Sequence, residues 1–178
     1  INNEGKQLWK RSLGIGKFIA VSLSSDARYG YVGEQSAEGN LYCFDMHTGD
    51  LKWKKSAVAY VGADASMRSF PSIVHIVNDK DSNVYVNMYR FVTSKTGKRG
   101  YLARMVSFTQ EGKLRWQYPA DETMDSWINW CDVSDASKRA VLSTSAYDFR
   151  DDMKYKDTMY ILDKNFNTSN FNKYWSIL

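Results

Sequence analysis

The sequence predicts an all-β chain assembled from repeated four-stranded units, and three observations carry that reading. A Gly-to-Trp signature recurs, with the Trp four residues after the Gly: Gly5 and Trp9, Gly49 and Trp53, Gly112 and Trp116. Aromatic residues make up 15 % of the 178, with twelve Tyr and six Trp, and there are only two Pro. Such residues favour the pleated, half-buried surface of a strand. No stretch sustains a helical period of apolar residues between caps.

Taken in order, residues 6–11 alternate apolar and polar side chains and predict one strand. Gly14 and Gly16 then punctuate the chain. The run Gly14-Ile15-Gly16-Lys17 is not a phosphate loop, because the rest of a Walker pattern is missing and a strand follows in place of a helix. Strands are predicted at 18–22, 29–34, 40–45 and 51–55. They are joined by the turn Ser24-Ser25-Asp26-Ala27, the loop 35–39 and the turn His47-Thr48-Gly49.

After a long connection at 56–69, a second set is predicted at 70–77, 84–92, 102–108 and 114–118, with Pro71 tolerated near its start. Its turns are the Asx-rich 78–82 and Gln110-Glu111-Gly112, and 93–100 is a polar loop. A third set follows the connection 119–125, at 127–133, 139–145, 158–163 and 174–177. Its first turn, Ser134-Asp135-Ala136-Ser137, matches Ser24-Ser25-Asp26-Ala27 in character. The Gly-to-Trp signature has decayed there to Asn-Phe-Asn-Lys-Tyr-Trp175. Residues 121–129 have room for one turn of helix and no more.

The Trp intervals are 44 residues from Trp9 to Trp53, 63 to Trp116 and 59 to Trp175, each holding four strands. Units of about 40–50 residues with four strands apiece mark a β-propeller. One such blade is apolar on both faces and cannot hide them alone, whereas radial packing hides them. Trp9, Trp53 and Trp116 are then the residues that cover the seams between blades. The expected fold is a propeller segment: 6–11 as the outer strand of a preceding blade, then blades at 18–55, 70–118 and 127–178. Closed propellers have about four to eight blades. The chain is therefore expected to be part of a larger propeller or to close with a partner copy.

The run Gly39-Asn40-Leu41-Tyr42-Cys43-Phe44-Asp45-Met46-His47-Thr48-Gly49-Asp50-Leu51-Lys52-Trp53 resembles the repeat of the pyrroloquinoline-quinone-like (PQQ-like) propellers. Val21-Ser22-Leu23-Ser24-Ser25-Asp26 is similar to the turn of WD40-like propellers. The resemblance covers most of the chain and speaks for architecture, since such propellers host many unrelated functions. It implies an extracytoplasmic setting at the cell surface, in the periplasm or outside the cell. It also raises the alternative of a segment or remnant of a quinone-dependent dehydrogenase. Those enzymes, as the resemblance implies, need adjacent cysteines over the cofactor and a Ca²⁺ site beside a catalytic Asp. Here Cys43 and Cys131 are far apart and no fitting Asp cluster is present.

Composition narrows the partners. The net charge of +4 is spread over interleaved bases and acids, which predicts a solvated mixed surface and no nucleic-acid patch. Cys43 and Cys131 lie in apolar runs of different repeats and are expected to be buried free thiols. No apolar run approaches the length of a membrane span, and no leader pattern opens the sequence.

The turns between first and second and between third and fourth strands fall on one face and are short. The connections 56–69, 93–100, 119–126 and 148–157 fall on the other and are long and varied, the kind of loop that carries binding residues. Lys17, Arg68, Ser69, Asp125 and Ser126 enter the inner strands from that face, and with Tyr60 and Trp127 they supply the candidate binding face: Lys17, Tyr60, Arg68, Asp125 and Trp127. Trp127 and Trp130 open an inner strand and are read mainly as core. His75 is expected to be a satisfied inner-strand histidine, and His47 a turn residue. Asp148, Asp151 and Asp152 are interleaved with Arg150 and Lys154 and lack calcium-loop spacing, so a solvated loop is expected. Asn167-Thr168-Ser169 is a glycosylation sequon that matters only in a secreted chain. No catalytic residue, metal site or cofactor is expected. The function that follows is a non-catalytic binding or scaffold module whose partners are another protein or the remaining blades.

Overall fold

A computed structural model describes residues 4–13, 16–63, 70–93, 97, 99–145 and 158–165. The strands β1 (Lys17–Leu23), β2 (Tyr29–Gln35), β3 (Asn40–Asp45) and β4 (Leu51–Ser56) pair in sequence as an antiparallel meander. A second meander joins β5 (Ser72–Asn78), β6 (Val84–Thr93), β7 (Arg99–Phe108) and β8 (Leu114–Tyr118). One pair, Gln35 with Ser72, connects β2 to β5, so these eight strands are continuous by hydrogen bonding. A separate sheet orders β11 (Met159–Asp163), β10 (Arg139–Ser145) and β9 (Trp127–Ser134). The fold is an all-β propeller segment. The strand expected at 174–177, the loop at 148–157, Arg68 and the Asn167 sequon lie outside the described residues.

Strand side chains alternate between two faces, and both faces of the middle blade are spent on packing. Val84, Val86 and Met88 of β6 meet Leu41 and Cys43 of β3 in one core cluster. Tyr85 of the same strand meets Ile128, Leu142 and Leu162 of the third blade in a second cluster. Each large side chain so buried contributes about 1.5–3 kcal/mol over its exposed state. Both cysteines are buried free thiols, one in each cluster.

The seams carry a repeated polar contact. The indole N–H of Trp9 donates to Met46 O (2.9 Å), that of Trp53 to Gln110 O (2.8 Å) and that of Trp116 to Lys164 O (3.0 Å). Each acceptor is the first turn residue after the third strand of the next blade. The first turns repeat as well: Ala27, Ser82 and Lys138 all adopt left-handed φ, at 56°, 58° and 54°.

Residues 6–11 join no ladder among the described residues, and Trp9 docks as the other seam Trp residues do. Two local expectations are corrected. The turn of helix falls at α1 (Val58–Val61), inside the long connection, where buried Val61 pins it and Gly62 ends it at φ 76°. No helix forms at 121–129; instead Met124 is buried and bridges Ala103. The β6–β7 hairpin also extends further into 93–100 than its polar sequence suggests. Among the described residues no helix is long and apolar enough to cross a membrane.

Candidate functional site

The short-turn face is tied together by polar contacts between blades. Ser25 Oγ donates to Lys80 O (3.0 Å), and Lys80 N–H donates to Asp135 (2.8 Å). At its centre Lys164 Nζ reaches Asp79 at 3.1 Å and also bonds Asp135, with Asp81 at 4.0 Å. Burial works against the Lys164 ammonium, but the hydrogen bonds and charges of Asp135 and Asp79 raise its pKa. Asp79, Asp81 and Asp135 are close enough together to hold a metal ion. The lysine ammonium already lies among them and supplies the positive charge, so the group reads as an interblade clasp.

The candidate residues from the sequence fall in separate environments. Lys17 is exposed at the start of β1. Tyr60 packs edge-on against Phe108, with ring centroids 5.7 Å apart, and belongs to the seam between the first two blades. Trp127 lies against Tyr89 (4.6 Å) and Tyr101 (4.7 Å) in a ring cluster between the second and third blades. Asp125 is half-buried just before β9. Of these, Lys17 alone lines a cleft described here.

That cleft has a volume of about 620 Å³ and lies at the long-loop end of the first blade, over Glu34, Asn40 and Tyr42, with Lys17, Lys54 and Phe70 around it. Glu34 is 3 % exposed and Asn40 6 %. Glu34 Oε1 accepts from Ser36 Oγ (2.6 Å), Asn40 Nδ2 (2.6 Å) and Asn40 N–H (3.3 Å), and its Oε2 accepts from Tyr42 OH (3.2 Å). Local folding explains the burial: the loop after β2 doubles back, and Gly39, at φ 57°, turns the chain so that Asn40 returns under Glu34. Sequence reasoning missed this group. Its signal was a lone Glu on the strand face that carries Val32, followed within six residues by Ser36 and Asn40.

A second cleft, of about 470 Å³, is lined by His75, Trp130, Asp132, Val141 and Met159 among others. His75 Nδ1 accepts from Cys131 N–H at 3.0 Å, which leaves the ring proton on Nε2. Trp130, 68 % exposed, stands edge-on to that ring at 5.0 Å. Burial lowers the imidazole pKa, and nearby Asp132 opposes it.

No family model matches the chain, and no curated protein matches it. Among solved structures it is similar to the Myceliophteria thermophila Cps50 (Swd1) beta-propeller domain, at 10 % identity and a TM-score of 0.31. The match covers 73 % of this chain and 48 % of that one, so the chain spans about half the length of that domain. The propeller character of this chain is carried by its own ladders and seams.

Proposed function

We propose that this chain is a non-catalytic β-propeller scaffold. It packs its outer blade faces against further blades or a protein partner and presents its long-loop face for binding. The observation that carries the reading is the apolar surface at both ends of the stack. On β1, Ala20 turns into the core while Ile19, Val21 and Leu23 point the other way, and Val21 is 77 % exposed. On the third blade, Leu142 and Tyr160 turn inward while Trp130 and Met159 are exposed. Contiguous apolar surface of this kind marks an interaction site. The PQQ-like character of the repeats is part of the proposal, supported by the thrice-repeated Trp contact. So is the extracytoplasmic setting, supported by the same resemblance.

The test places a photo-crosslinking residue at Val21 and at Met159 in the protein from its native source. Crosslinks from both positions to other polypeptide segments support the scaffold. Absence of any crosslink at both positions sinks it.

A further inference from the structure

We propose that the cleft over Glu34 receives a guanidinium or primary ammonium group. The proposal rests on the binding-module reading and names the chemistry of its ligand.

A carboxylate almost wholly removed from water needs a counter-charge or a complete set of donors. Glu34 has neither. Its hydrogen bonds come from a serine, an asparagine amide, a backbone N–H and a tyrosine, all neutral. Lys17 and Lys54 line the same cleft, yet neither forms an ion pair with it. Three of the four donors sit on Oε1; Oε2 takes only the Tyr42 bond.

A second acceptor stands beside it. Asn40 Oδ1 is buried and has no donor. The amide cannot turn to satisfy it, because Nδ2 is held by Glu34 Oε1 at 2.6 Å. Such an orphan polar atom in an otherwise bonded group calls for a partner.

Space is left on the Oε2 side. Gly16 passes so close that a β-carbon there would lie 2.7 Å from Oε2, and only a residue without a side chain leaves room beside that oxygen. The cleft therefore offers acceptors and two carboxylates, the buried Glu34 and the exposed Glu38, with Lys17 and Lys54 beside them. A carbonyl or anionic ligand would be repelled, and a sugar would bring donors without the charge. A guanidinium or ammonium supplies both, in charge-assisted hydrogen bonds stronger than neutral ones. Phe70, on the wall, offers an aromatic face to the cation or its alkyl stem. The volume of about 620 Å³ suits a small ligand. Lys17 and Lys54 disfavour a polycation, so a single positive group fits best.

This group could belong to a small molecule or to an arginine or lysine of a bound polypeptide. The test titrates the full ¹⁵N-labelled chain with methylguanidinium chloride and, separately, with a capped Gly-Arg-Gly peptide, using sodium chloride as the ionic control. Saturable shifts at the Ser36 and Asn40 amides are expected, with affinity at least tenfold weaker in Glu34→Gln. Gly16→Ala keeps the Glu34 charge but crowds Oε2, so it is expected to weaken binding as well. If Glu34→Gln loses its dispersed spectrum, Gly16→Ala decides the matter. Tighter binding of the peptide points to a polypeptide source, and equal or weaker binding to a small molecule. Shifts no larger than with sodium chloride, or unchanged affinity in the folded variants, overturn the proposal. A null titration leaves the crosslinks from Val21 and Met159 unaffected, so failure here and failure of the scaffold reading are separable.

Discussion

The ring of Trp53 lies so close over Gly112 of the next blade that a β-carbon on that glycine would sit 2.8 Å from ring atom Cδ2. Trp9 stands over Gly49 in the same way, at 2.9 Å. Each glycine also holds a left-handed backbone, φ 80° at Gly112 and 76° at Gly49. The Gly of the Gly-to-Trp signature thus meets two demands, a turn geometry and a seat for the preceding blade's indole.

Gly112→Ala is therefore expected to destabilise the chain by about 1–3 kcal/mol, from backbone strain and overpacking together. Trp53→Phe keeps a ring on the seat but loses the bond to Gln110, for about 0.5–1.5 kcal/mol. Trp53→Ala should cost about 3–5 kcal/mol. Urea unfolding measures all three. A Gly112→Ala chain as stable as wild type would show that the ring is not seated there.

Lys164→Met should be far worse than its turn position suggests. Asp79 is fully buried in the pair, and losing one partner of a buried ion pair costs about 3–5 kcal/mol. The double variant Lys164→Met/Asp79→Asn should recover much of that loss, because the fully buried charge is gone and Asp135, partly exposed, keeps its bond from Lys80 N–H. Additive losses in the same urea series would refute a coupled clasp.

Acid should loosen the same clasp. Burial alone would raise the Asp79 carboxyl, but Asn83, Lys164 and Tyr85 donate to it and hold it below its ordinary 3.8. A carboxyl depressed in the folded state stabilises fully above the unfolded value. That contribution is lost as pH falls through the lower folded value. Wild-type Tm should thus drop below pH 3.8, and Asp79→Asn should show a shallower drop over that window. Parallel curves would remove Asp79 from the cause.

The repeat was legible because its signals are local. Gly-to-Trp spacing, alternation and Asx turns specify strand, turn and strand within a few residues, and the ladders follow them. The missed features depend on distant partners. Nothing near Lys164 in the sequence marks it, and its contacts with the second blade come from afar: Trp116 and Arg115 bond to its carbonyl and Asp79 to its ammonium. The burial of Glu34 depends on the path of the following loop, which brings Asn40 back against it. The contact of Tyr60 with Phe108 likewise depends on a distant partner, reached through one helical turn.

His75 should act as a spectroscopic reporter of its own cleft. Its Nδ1 accepts the Cys131 N–H, so protonation would set an N–H against an N–H. Burial already pushes the imidazole below its ordinary 6.5. With the folded value depressed, the neutral ring's contribution is complete above pH 6.5 and is lost as pH falls through the folded value. The Trp130 indole, 5.0 Å away, should be quenched by the imidazolium over that same step. The fluorescence difference between wild type and Trp130→Phe should therefore titrate with a midpoint below 6.5, and His75→Gln should abolish the step. A midpoint at or above 6.5 would mean that the ring is not held neutral by burial and that the Cys131 bond does not fix its tautomer.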